Sequence, residues 1–375
     1  MQRDAHVESS FSGACFDKQN LAKANSKEFK PSHNTYMIER MLWHPVALST
    51  DLADKPVAVQ LLTENVALWR DAQGTAHAWA DKCPHRGAKL SLGRIEVNAQ
   101  GASTLECAYH GWQFDGAGHC TLVPALPAFA PPPTHCARTF AVQEAYGLVW
   151  VQLEAAHTML PAFAAHTDTQ LRKIACGPYD VATSAPRVVE NFLDMAHFGF
   201  VHEGFLGARD TTAQADYAVE RTTHGIRATG CRAWQPRSNV HATQGAEVSY
   251  TYEVVSPYCA HLVKVPEPTG RTAVSMPTDT ATADYRESIA LWVCPVSPES
   301  SRVWFTMAVA DFETAAAELQ NFQNTIFMQD KPILESQSPA RLPLDLRAEL
   351  HTVADKASAA YRRYLQDCGI TFGVC

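Results

Sequence analysis

Two short segments of the chain each place a cysteine close to a histidine. Cys83 precedes His85 by two positions and Cys107 precedes His110 by three, and 21 residues (86–106) separate the two pairs. Two thiolates and two imidazoles are the ligands of a [2Fe–2S] cluster in which both cysteines bind one iron and both histidines bind the other. Such a cluster transfers single electrons at a higher potential than one held by four cysteines.

A single zinc ion bound by two cysteines and two histidines is the main alternative. Zinc sites usually pair Cys with Cys and His with His along the chain, whereas here each segment supplies one of each. The neighbouring Pro84, Gly87 and Gly111 fit two tight loops that close over a cluster. The pattern therefore favours a cluster of the Rieske type, and zinc and chance occurrence remain open.

A second group of potential ligands lies in residues 190–204. Asp194 and His197 are three residues apart and would share one face of a helix. His202 follows five residues later, about 140° around an ideal helix, which is too far for both histidines to bind one metal. A π-bulge or a helix break near Gly199 would bring them together. The alternative is a pair of core or surface histidines on an amphipathic helix.

Two histidines and one carboxylate bind Fe(II) and leave positions open for O2, which is chemistry that an electron-transfer cluster does not perform. The carboxylate must come from another part of the chain. Asp330, in a predicted helix over residues 311–336, is the preferred candidate. Glu335 is its rival, and an ordinary charge on a helix surface is the alternative for both.

The elements that would position these residues can be read from the apolar pattern. Alternating or continuous apolar runs separated by turn residues predict an all-β region, with the two Cys/His loops at one end. Later in the chain the pattern becomes helical, returns to strands, and closes with two helices. These segments are 40–155 (all β), 187–200 (helical), 226–309 (strands), and 311–336 and 354–367 (helices).

The predicted fold class is α+β: an all-β cluster domain followed by a helix-grip-like mixed sheet whose helices carry the second metal site. The predicted units are a polar N-terminal arm (1–39), the cluster domain (40–155) and a catalytic domain (156–375). The substrate pocket is expected to be formed by strands and loops of residues 205–310, where no cluster of charges demands a particular ligand. Trp234, Trp292 and Trp304 are predicted to lie in the core, and Arg362 and Arg363 to form surface or interface ion pairs.

Composition excludes several classes of protein. The 375 residues are 46% hydrophobic with a net charge of −8, which argues against nucleic acid or an anionic membrane as a partner. No run of 18 apolar residues indicates a transmembrane helix, and the polar residues 1–35 do not form a signal peptide. The 11 cysteines show no disulfide-like spacing, so the nine outside the cluster motif are expected to be reduced and the protein cytoplasmic.

In their order and separation, the two motifs resemble those of the oxygenase component of Rieske non-haem iron oxygenases, and the resemblance covers roughly residues 40–370. Segments 88–93, 122–125 and 330–337 are similar to bacterial methylxanthine N-demethylase oxygenases. Other segments resemble saxitoxin-pathway hydroxylases: 200–207, 338–343, 360–363 and 373–375. Both groups belong to a homotrimeric branch with vanillate demethylase-like members. The chain departs from the family in its long spacing between the Cys/His pairs and in its long N-terminal arm.

The resemblance implies a role for each candidate residue. It implies cluster ligation by Cys83, His85, Cys107 and His110, and Fe(II) ligation by His197, His202 and Asp330. Asp194 matches the aspartate that bridges a cluster ligand of one subunit to an iron ligand of its neighbour. Asn191 matches an amide that often lies near the iron.

The resemblance also implies partners and a reaction. An NAD(P)H-dependent reductase, with or without a ferredoxin, would deliver electrons to a homotrimer. One atom of O2 would enter a C–H bond of a small aromatic or N-heterocyclic substrate, and the other would leave as water. Oxygenation of an N- or O-methyl group would release formaldehyde. The competing hypothesis is a Rieske electron-transfer protein with an appended ligand-binding domain, which would bind two irons per chain rather than three.

Overall fold

The computed structural model describes residues 37–97, 101–266 and 286–375. Most of the arm predicted over 1–39 therefore lies outside the described residues, as does part of the long spacing between the Cys/His pairs. The first described residues are packed against the end of the chain. The carboxylate of Glu39 is fully buried and accepts hydrogen bonds from the backbone N–H groups of Thr371 and Phe372 at 2.5 and 2.8 Å.

The first part of the chain folds into two antiparallel sheets, as the alternating apolar pattern predicts. The larger sheet has the strand order β1-β10-β9-β4-β3-β2 and the smaller one β5-β6-β7-β8. The strands are β1 (His44–Leu48), β2 (Val57–Leu61), β3 (Glu64–Arg70), β4 (Ala76–Ala80), β5 (Arg94–Val97), β6 (Ser103–Glu106), β7 (Gln113–Phe114), β8 (Cys120–Leu122), β9 (Thr139–Ala145) and β10 (Leu148–Gln152). The first Cys/His loop connects β4 to β5 and the second connects β6 to β7, so both lie beside the smaller sheet.

The second part of the chain forms a seven-stranded sheet in the order β11-β17-β16-β15-β14-β13-β12. Every pairing in it is antiparallel, which refines the mixed sheet expected from the sequence. Its strands are β11 (Arg172–Val181), β12 (Ala218–Arg221), β13 (Ile226–Gln235), β14 (Ala246–Ser256), β15 (Cys259–Pro266), β16 (Glu287–Ser297) and β17 (Ser300–Val309).

In the residues that the structure describes, four α-helices accompany this sheet: α1 (Ala185–Leu193), α2 (Phe198–Val201), α3 (Ala316–Ser336) and α4 (Lys356–Asp367). The single helix expected over 187–200 is therefore two helices. The helix expected from residue 311 begins at 316, because the Asp311 carboxylate accepts the N–H groups of Glu313 and Thr314 and holds a turn there. None of the helices in the described residues is long and apolar enough to span a membrane.

One hydrophobic core joins the first sheet to the back of the seven-stranded sheet. The ring of Trp292 stacks on Tyr146 with centroids 5.1 Å apart and meets Trp150 edge to face at 5.2 Å. The predictions for Trp292 and Trp304 are confirmed, since both side chains are buried. The prediction for Trp234 is wrong: it is 37% exposed, and an irregularity in β13 between Ala228 and Cys231 interrupts the regular alternation there.

A buried network of charges connects α1 to α4. The guanidinium of Arg362 donates to both carboxylate oxygens of Glu190 at 2.6 and 2.9 Å, and also donates to Glu349. Arg187 donates to Glu349 at 2.7 Å. The ion pairs expected of Arg362 exist, but they lie inside the chain rather than at a surface or interface, because Arg362 is 2% exposed; its neighbour Arg363 is exposed. The network holds α1 in place immediately before the candidate histidines.

Replacing Arg362 by methionine would leave Glu190 buried without its main partner. Breaking a buried ion pair from one side typically costs about 3 kcal/mol, so we expect Arg362→Met to lower the free energy of unfolding by about that amount. Chemical denaturation followed by circular dichroism would measure it. Arg363→Met is the matched control and should change stability little; equal stabilities for the two variants would contradict a stabilising role for the network.

Candidate metal centres and active-site cavity

The two Cys/His loops have the same local geometry. In each, the cysteine carbonyl accepts the N–H of a glycine four residues later, Gly87 after Cys83 and Gly111 after Cys107, both at 2.9 Å. Both glycines have positive φ, +72° and +69°, a conformation that other residues rarely adopt. The glycines therefore close each loop tightly around its cysteine.

The four candidate ligands come together between these loops. Both thiols are buried, and the rings of His85 and His110 lie 4.5 Å apart. The His85 ring stacks on Trp112, with centroids 4.4 Å apart, and its Nδ1 atom is buried with no hydrogen-bond partner among the described residues. Burial, with the neighbouring Cys107 thiol, raises the pKa of Cys83 to about 11. Such thiols become thiolates when a metal binds them, so these residues fit a [2Fe–2S] cluster.

The arrangement is less suited to a single zinc ion. Ligand atoms about 2.3 Å from one metal lie at most roughly 4.6 Å from one another. In the part of the chain that the structure describes, the group whose ligand atoms all lie within 4.8 Å is His197, His202 and Asp330, and the four Cys and His residues are not such a group. Two metal atoms side by side do not require all four ligand atoms to lie that close together.

His197 and His202 flank a helix of a single turn. Helix α1 begins at its N-cap Ser184, with Pro186 in its first turn, and ends at Asp194, whose backbone is extended (φ −89°, ψ 132°). Helix α2 then has His197 as its N-cap and His202 as its C-cap. The expected break exists, but it lies at residues 194–197 rather than near Gly199. Asp194 is consequently outside the helix, not on one of its faces as predicted.

This break brings the two rings together. The Nε2 atoms of His197 and His202 are 3.2 Å apart, and Oδ1 of Asp330 lies 3.4 and 3.2 Å from them. Asp330 reaches the pair from the interior face of α3 and is 7% exposed. The structure thus brings the three predicted ligands to one point, and two nitrogens with one carboxylate oxygen match a facial triad for Fe(II).

Each member of this triad is held by a further side chain. Nδ1 of His197 lies 3.1 Å from Asp194, and Nδ1 of His202 lies 2.8 Å from Oε1 of Gln329. These acceptors place the ring proton on Nδ1, which leaves Nε2 free for a metal. Asn191, in the last turn of α1, donates to Oδ1 of Asp330 at 3.3 Å. Sequence reasoning found Asp194 and Asn191 but missed Gln329, which no motif marks.

The electrostatics of the triad favour a positive charge beside the Asp330 carboxylate. Burial alone would lower the pKa of His197, but hydrogen bonds to Asp194 and Asp330 raise it to about 9. Burial alone would raise the pKa of Asp330, but the two histidines lower it to about 2. Glu335, the rival carboxylate, lies at the surface, where it accepts from Lys331 and from the N–H of Ala182.

A mostly apolar cavity opens beside the triad, between the seven-stranded sheet and helices α1 and α3. Its walls include Phe192 from α1, Ile289 and Phe305 from the sheet, and Ile326 and Phe327 from α3. The cavity was expected to be lined by residues of 205–310. Helices α1 and α3 also line it, which the sequence did not indicate. An apolar chamber with a few polar groups is the usual form of a small-molecule site.

Two charged residues of this cavity were overlooked in the sequence. Lys264 and Glu287 are 4% and 5% exposed, and Nζ of Lys264 lies 3.6 Å from the Glu287 carboxylate. The sequence of β15 does indicate the burial of Lys264, which lies on the same face of the strand as the buried Ala260 and Leu262. In a strand, residues two apart point to one side, so this lysine should have been assigned to the interior.

Comparison with protein families gives two matches. The profile of the Rieske [2Fe-2S] domain matches residues 42–141, and that of the vanillate O-demethylase oxygenase C-terminal domain matches residues 181–369. The first match contains both Cys/His loops. The second contains His197, His202 and Asp330.

Curated relatives cover nearly the whole chain. Methylxanthine N1-demethylase NdmA of Pseudomonas putida is 30% identical over 336 residues, 88% of this chain and 88% of that protein. Methylxanthine N3-demethylase NdmB of the same species is 29% identical over 363 residues, 92% of this chain and 94% of that protein. Oxidoreductase NdmD of P. putida is 41% identical over only 113 residues, 30% of this chain and 18% of that protein.

Solved structures agree with this architecture. NdmA of P. putida CBB5 with caffeine superimposes with a TM-score of 0.73 at 29% identity, covering 87% of this chain and 90% of that one. Dicamba monooxygenase bound to dicamba has a TM-score of 0.66 at 22% identity, covering 88% and 97%, and supports the fold alone.

Gln329 offers a test of the triad as a metal site. Gln329→Leu would remove the acceptor that orients His202, so we expect the affinity for Fe(II) to fall roughly tenfold to a hundredfold. Iron retained after dialysis against a graded series of chelator concentrations would measure it. Met328→Leu changes an exposed neighbour on the same helix and should retain iron like the unmodified protein. Unchanged retention in Gln329→Leu would show that this hydrogen bond does not support metal binding.

Proposed function

The chain belongs to the Rieske non-haem iron oxygenases, and on that premise we propose that it removes a methyl group from a small N-methylated heterocycle. The family supplies the class of reaction: this is an oxygenase component, which uses O2 and electrons delivered by a reductase. The choice of substrate is supported by the methylxanthine demethylases among its relatives. The observation that carries the proposal is the triad opening directly into an apolar cavity.

The protein uses a [2Fe–2S] cluster and a mononuclear iron. When bound, these groups supply single-electron transfer and activation of O2. We assign Cys83, His85, Cys107 and His110 to the cluster, on the basis of the buried thiols, the unpartnered Nδ1 of His85 and the paired loops. We assign His197, His202 and Asp330 to the iron, on the basis of their convergence.

The chain itself positions the reactants. Asp194 and Gln329 hold the two imidazole rings with Nε2 directed inward, and Asn191 holds the Asp330 carboxylate. Phe192, Phe305 and Phe327 exclude water and give flat walls for a planar ring. The overall change is balanced: an N-methyl group, O2, two electrons and two protons give an N–H group, formaldehyde and water.

The proposal extends to assembly and location. Asp194 is 31% exposed, so part of its carboxylate is accessible while the rest contacts His197. We infer that this face meets a cluster histidine of a neighbouring subunit in a homotrimer, because a repeated head-to-tail contact closes as a ring.

A reductase drawing on NAD(P)H, with or without a ferredoxin, fits a cytoplasmic location. The two domains are proposed to be residues 40–155 and 156–375.

Reconstitution with a reductase tests the function. With theobromine, caffeine and other N-methyl heterocycles, we expect formaldehyde to form in a one-to-one ratio with the demethylated product. Asp330→Ala should abolish formaldehyde formation, because the iron loses its only carboxylate, while the visible spectrum of the cluster persists. The iron content should fall from three to two atoms per chain, because the mononuclear iron is lost and the two cluster irons remain.

Glu335→Ala is the matched control, since this carboxylate lies on the same helix but faces the surface. It should retain turnover and iron content. Turnover of aryl methyl ethers without turnover of any N-methyl heterocycle would move the substrate class to O-demethylation. An active Asp330→Ala protein would contradict the assignment of the iron ligand.

Asp194 gives a separate test of the route between subunits. Asp194→Asn keeps the shape and should retain both metal centres and substrate binding, but slow cluster oxidation in single turnover roughly tenfold to a hundredfold. Rapid mixing of the pre-reduced protein with O2 and substrate would measure the rate. Asp210→Asn, at an exposed position whose carboxylate accepts from Thr211 rather than from a candidate ligand, should react normally. An active monomer, or a normal rate in Asp194→Asn, would rule out the bridge.

A further inference from the structure

A row of polar side chains crosses three strands on the cavity side of the seven-stranded sheet. Tyr250 of β14 pairs with Lys264 of β15, and Lys264 pairs with Glu287 of β16. All three are at least 95% buried, and all three line the same cavity as the triad. The next row towards the sheet centre consists of Tyr252, Leu262 and Ile289, and its one polar atom is the Tyr252 hydroxyl. The polar row is therefore a defined patch that carries a positive and a negative charge in a mostly apolar chamber.

The groups in this row have more hydrogen-bonding capacity than the described residues use. Gln235 donates its amide N–H to the Tyr250 hydroxyl at 2.5 Å, which leaves the Tyr250 proton without an acceptor there. The Lys264 ammonium donates to the carbonyl of Ser238 and lies 3.6 Å from Glu287, beyond a normal hydrogen bond. An ammonium has three protons, so at least one is available to a ligand.

Burying the ion pair of Lys264 and Glu287 costs free energy, and packing alone does not explain why the pair is there. Replacing a buried ion pair by apolar residues of similar size is often neutral or stabilising. Here burial lowers the pKa of Lys264, in opposition to the neighbouring Glu287 carboxylate. The pair lies in the cavity wall rather than between two helices, so its unused donors and acceptor face the space that a substrate would occupy.

We propose that Tyr250, Lys264 and Glu287 form a substrate-recognition subsite for a lactam edge, meaning a ring N–H next to a ring C=O. This inference rests on the proposed N-demethylation and narrows its substrate class. The carbonyl oxygen accepts from Lys264 and Tyr250, and the adjacent N–H donates to Glu287. Two contacts of opposite polarity fix the ring in its plane and select which methyl group faces the iron.

The charge balance of the subsite disfavours aromatic acids. A lone buried lysine would attract a carboxylate, but Glu287 neutralises Lys264 and repels a second anion in the same row. A neutral heterocycle brings no net charge into the cavity. It also satisfies both members of the pair, since it offers an acceptor and a donor side by side. The subsite therefore separates neutral lactams from benzoate-like substrates by electrostatics and by hydrogen-bond direction.

Calorimetric binding to the anaerobic holoenzyme tests this directly with three probes. Theobromine carries an N–H between two carbonyls, caffeine has a methyl group on that nitrogen, and 4-methoxybenzoate carries a carboxylate. The unmodified protein should bind theobromine roughly tenfold to a hundredfold more tightly than caffeine, since one hydrogen bond to a charged group is lost. It should bind 4-methoxybenzoate more weakly than either.

Glu287→Gln is expected to reverse these preferences. It keeps the side-chain shape but leaves Lys264 unneutralised, so 4-methoxybenzoate binding should improve by tenfold or more, while theobromine loses its advantage over caffeine. Glu253→Gln is the matched control: it lies on β14 next to Tyr252, alternates to the opposite face, and pairs with Arg227. Its ligand preferences should equal those of the unmodified protein.

A second variant covers the case in which Glu287→Gln does not fold. The double variant Lys264→Met/Glu287→Leu replaces the pair by apolar side chains. It should bind both heterocycles more weakly, because their carbonyl loses the Lys264 donor, and should bind theobromine no better than caffeine. Unchanged preference for theobromine in either variant, or no binding of either heterocycle by the unmodified protein, would overturn the subsite. Theobromine binding without formaldehyde release would instead contradict N-demethylation and leave the subsite standing.

Discussion

The convergence of two imidazoles and a carboxylate in an apolar interior is the constraint on which the catalytic half of this protein depends. Such groups are stable when buried only if each is paired or bound to a metal. Two sets of contacts meet this requirement. The three side chains face one another, and each also has a hydrogen bond to a further side chain: Asp194, Gln329 or Asn191. Helix α1 must end where it does, because a continuous helix would separate His197 from His202.

The same requirement explains how the surrounding elements are fixed. Helix α1 supplies Asn191, and it is held to α4 by the buried charges of Glu190 and Arg362. The approach of the chain around α2 needs two glycines: a side chain at Gly207 would meet the backbone of Gly199 at 2.6 Å, and one at Gly199 would meet the carbonyl of Ala208 at 2.9 Å. Close backbone packing therefore keeps the one-turn helix compact, so that both of its ends direct a histidine to the same point.

The seven-stranded sheet forms the other wall of the cavity, because side chains alternate between the two faces of each strand. Tyr250 and Tyr252 of β14 face the chamber, as do Leu262 and Lys264 of β15, and the row of Tyr250, Lys264 and Glu287 adds charged groups to a mostly apolar lining. Apolar walls exclude water and strengthen each polar contact that remains. A small number of polar groups in such surroundings can decide orientation and specificity, while most of the burial energy comes from the aromatic walls.

The sequence by itself determined the chemistry, because ligand type and close spacing are local properties. Cys83 with His85, Cys107 with His110, and the pair His197 and His202 are each contained within a few residues. Asp330 is distant in sequence, and it is preferred over Glu335 by its place in a predicted helix and by the resemblance to a family motif. The all-β pattern of residues 40–155 was equally readable, since strands alternate with period two. Tertiary structure alone decided where the helix breaks, that Gln329 supports His202, and that Trp234 faces outward after an irregularity in its strand. It also decided that Arg362 and Lys264 are buried, because the partners that make such burial tolerable, Glu190 and Glu287, come from distant parts of the chain.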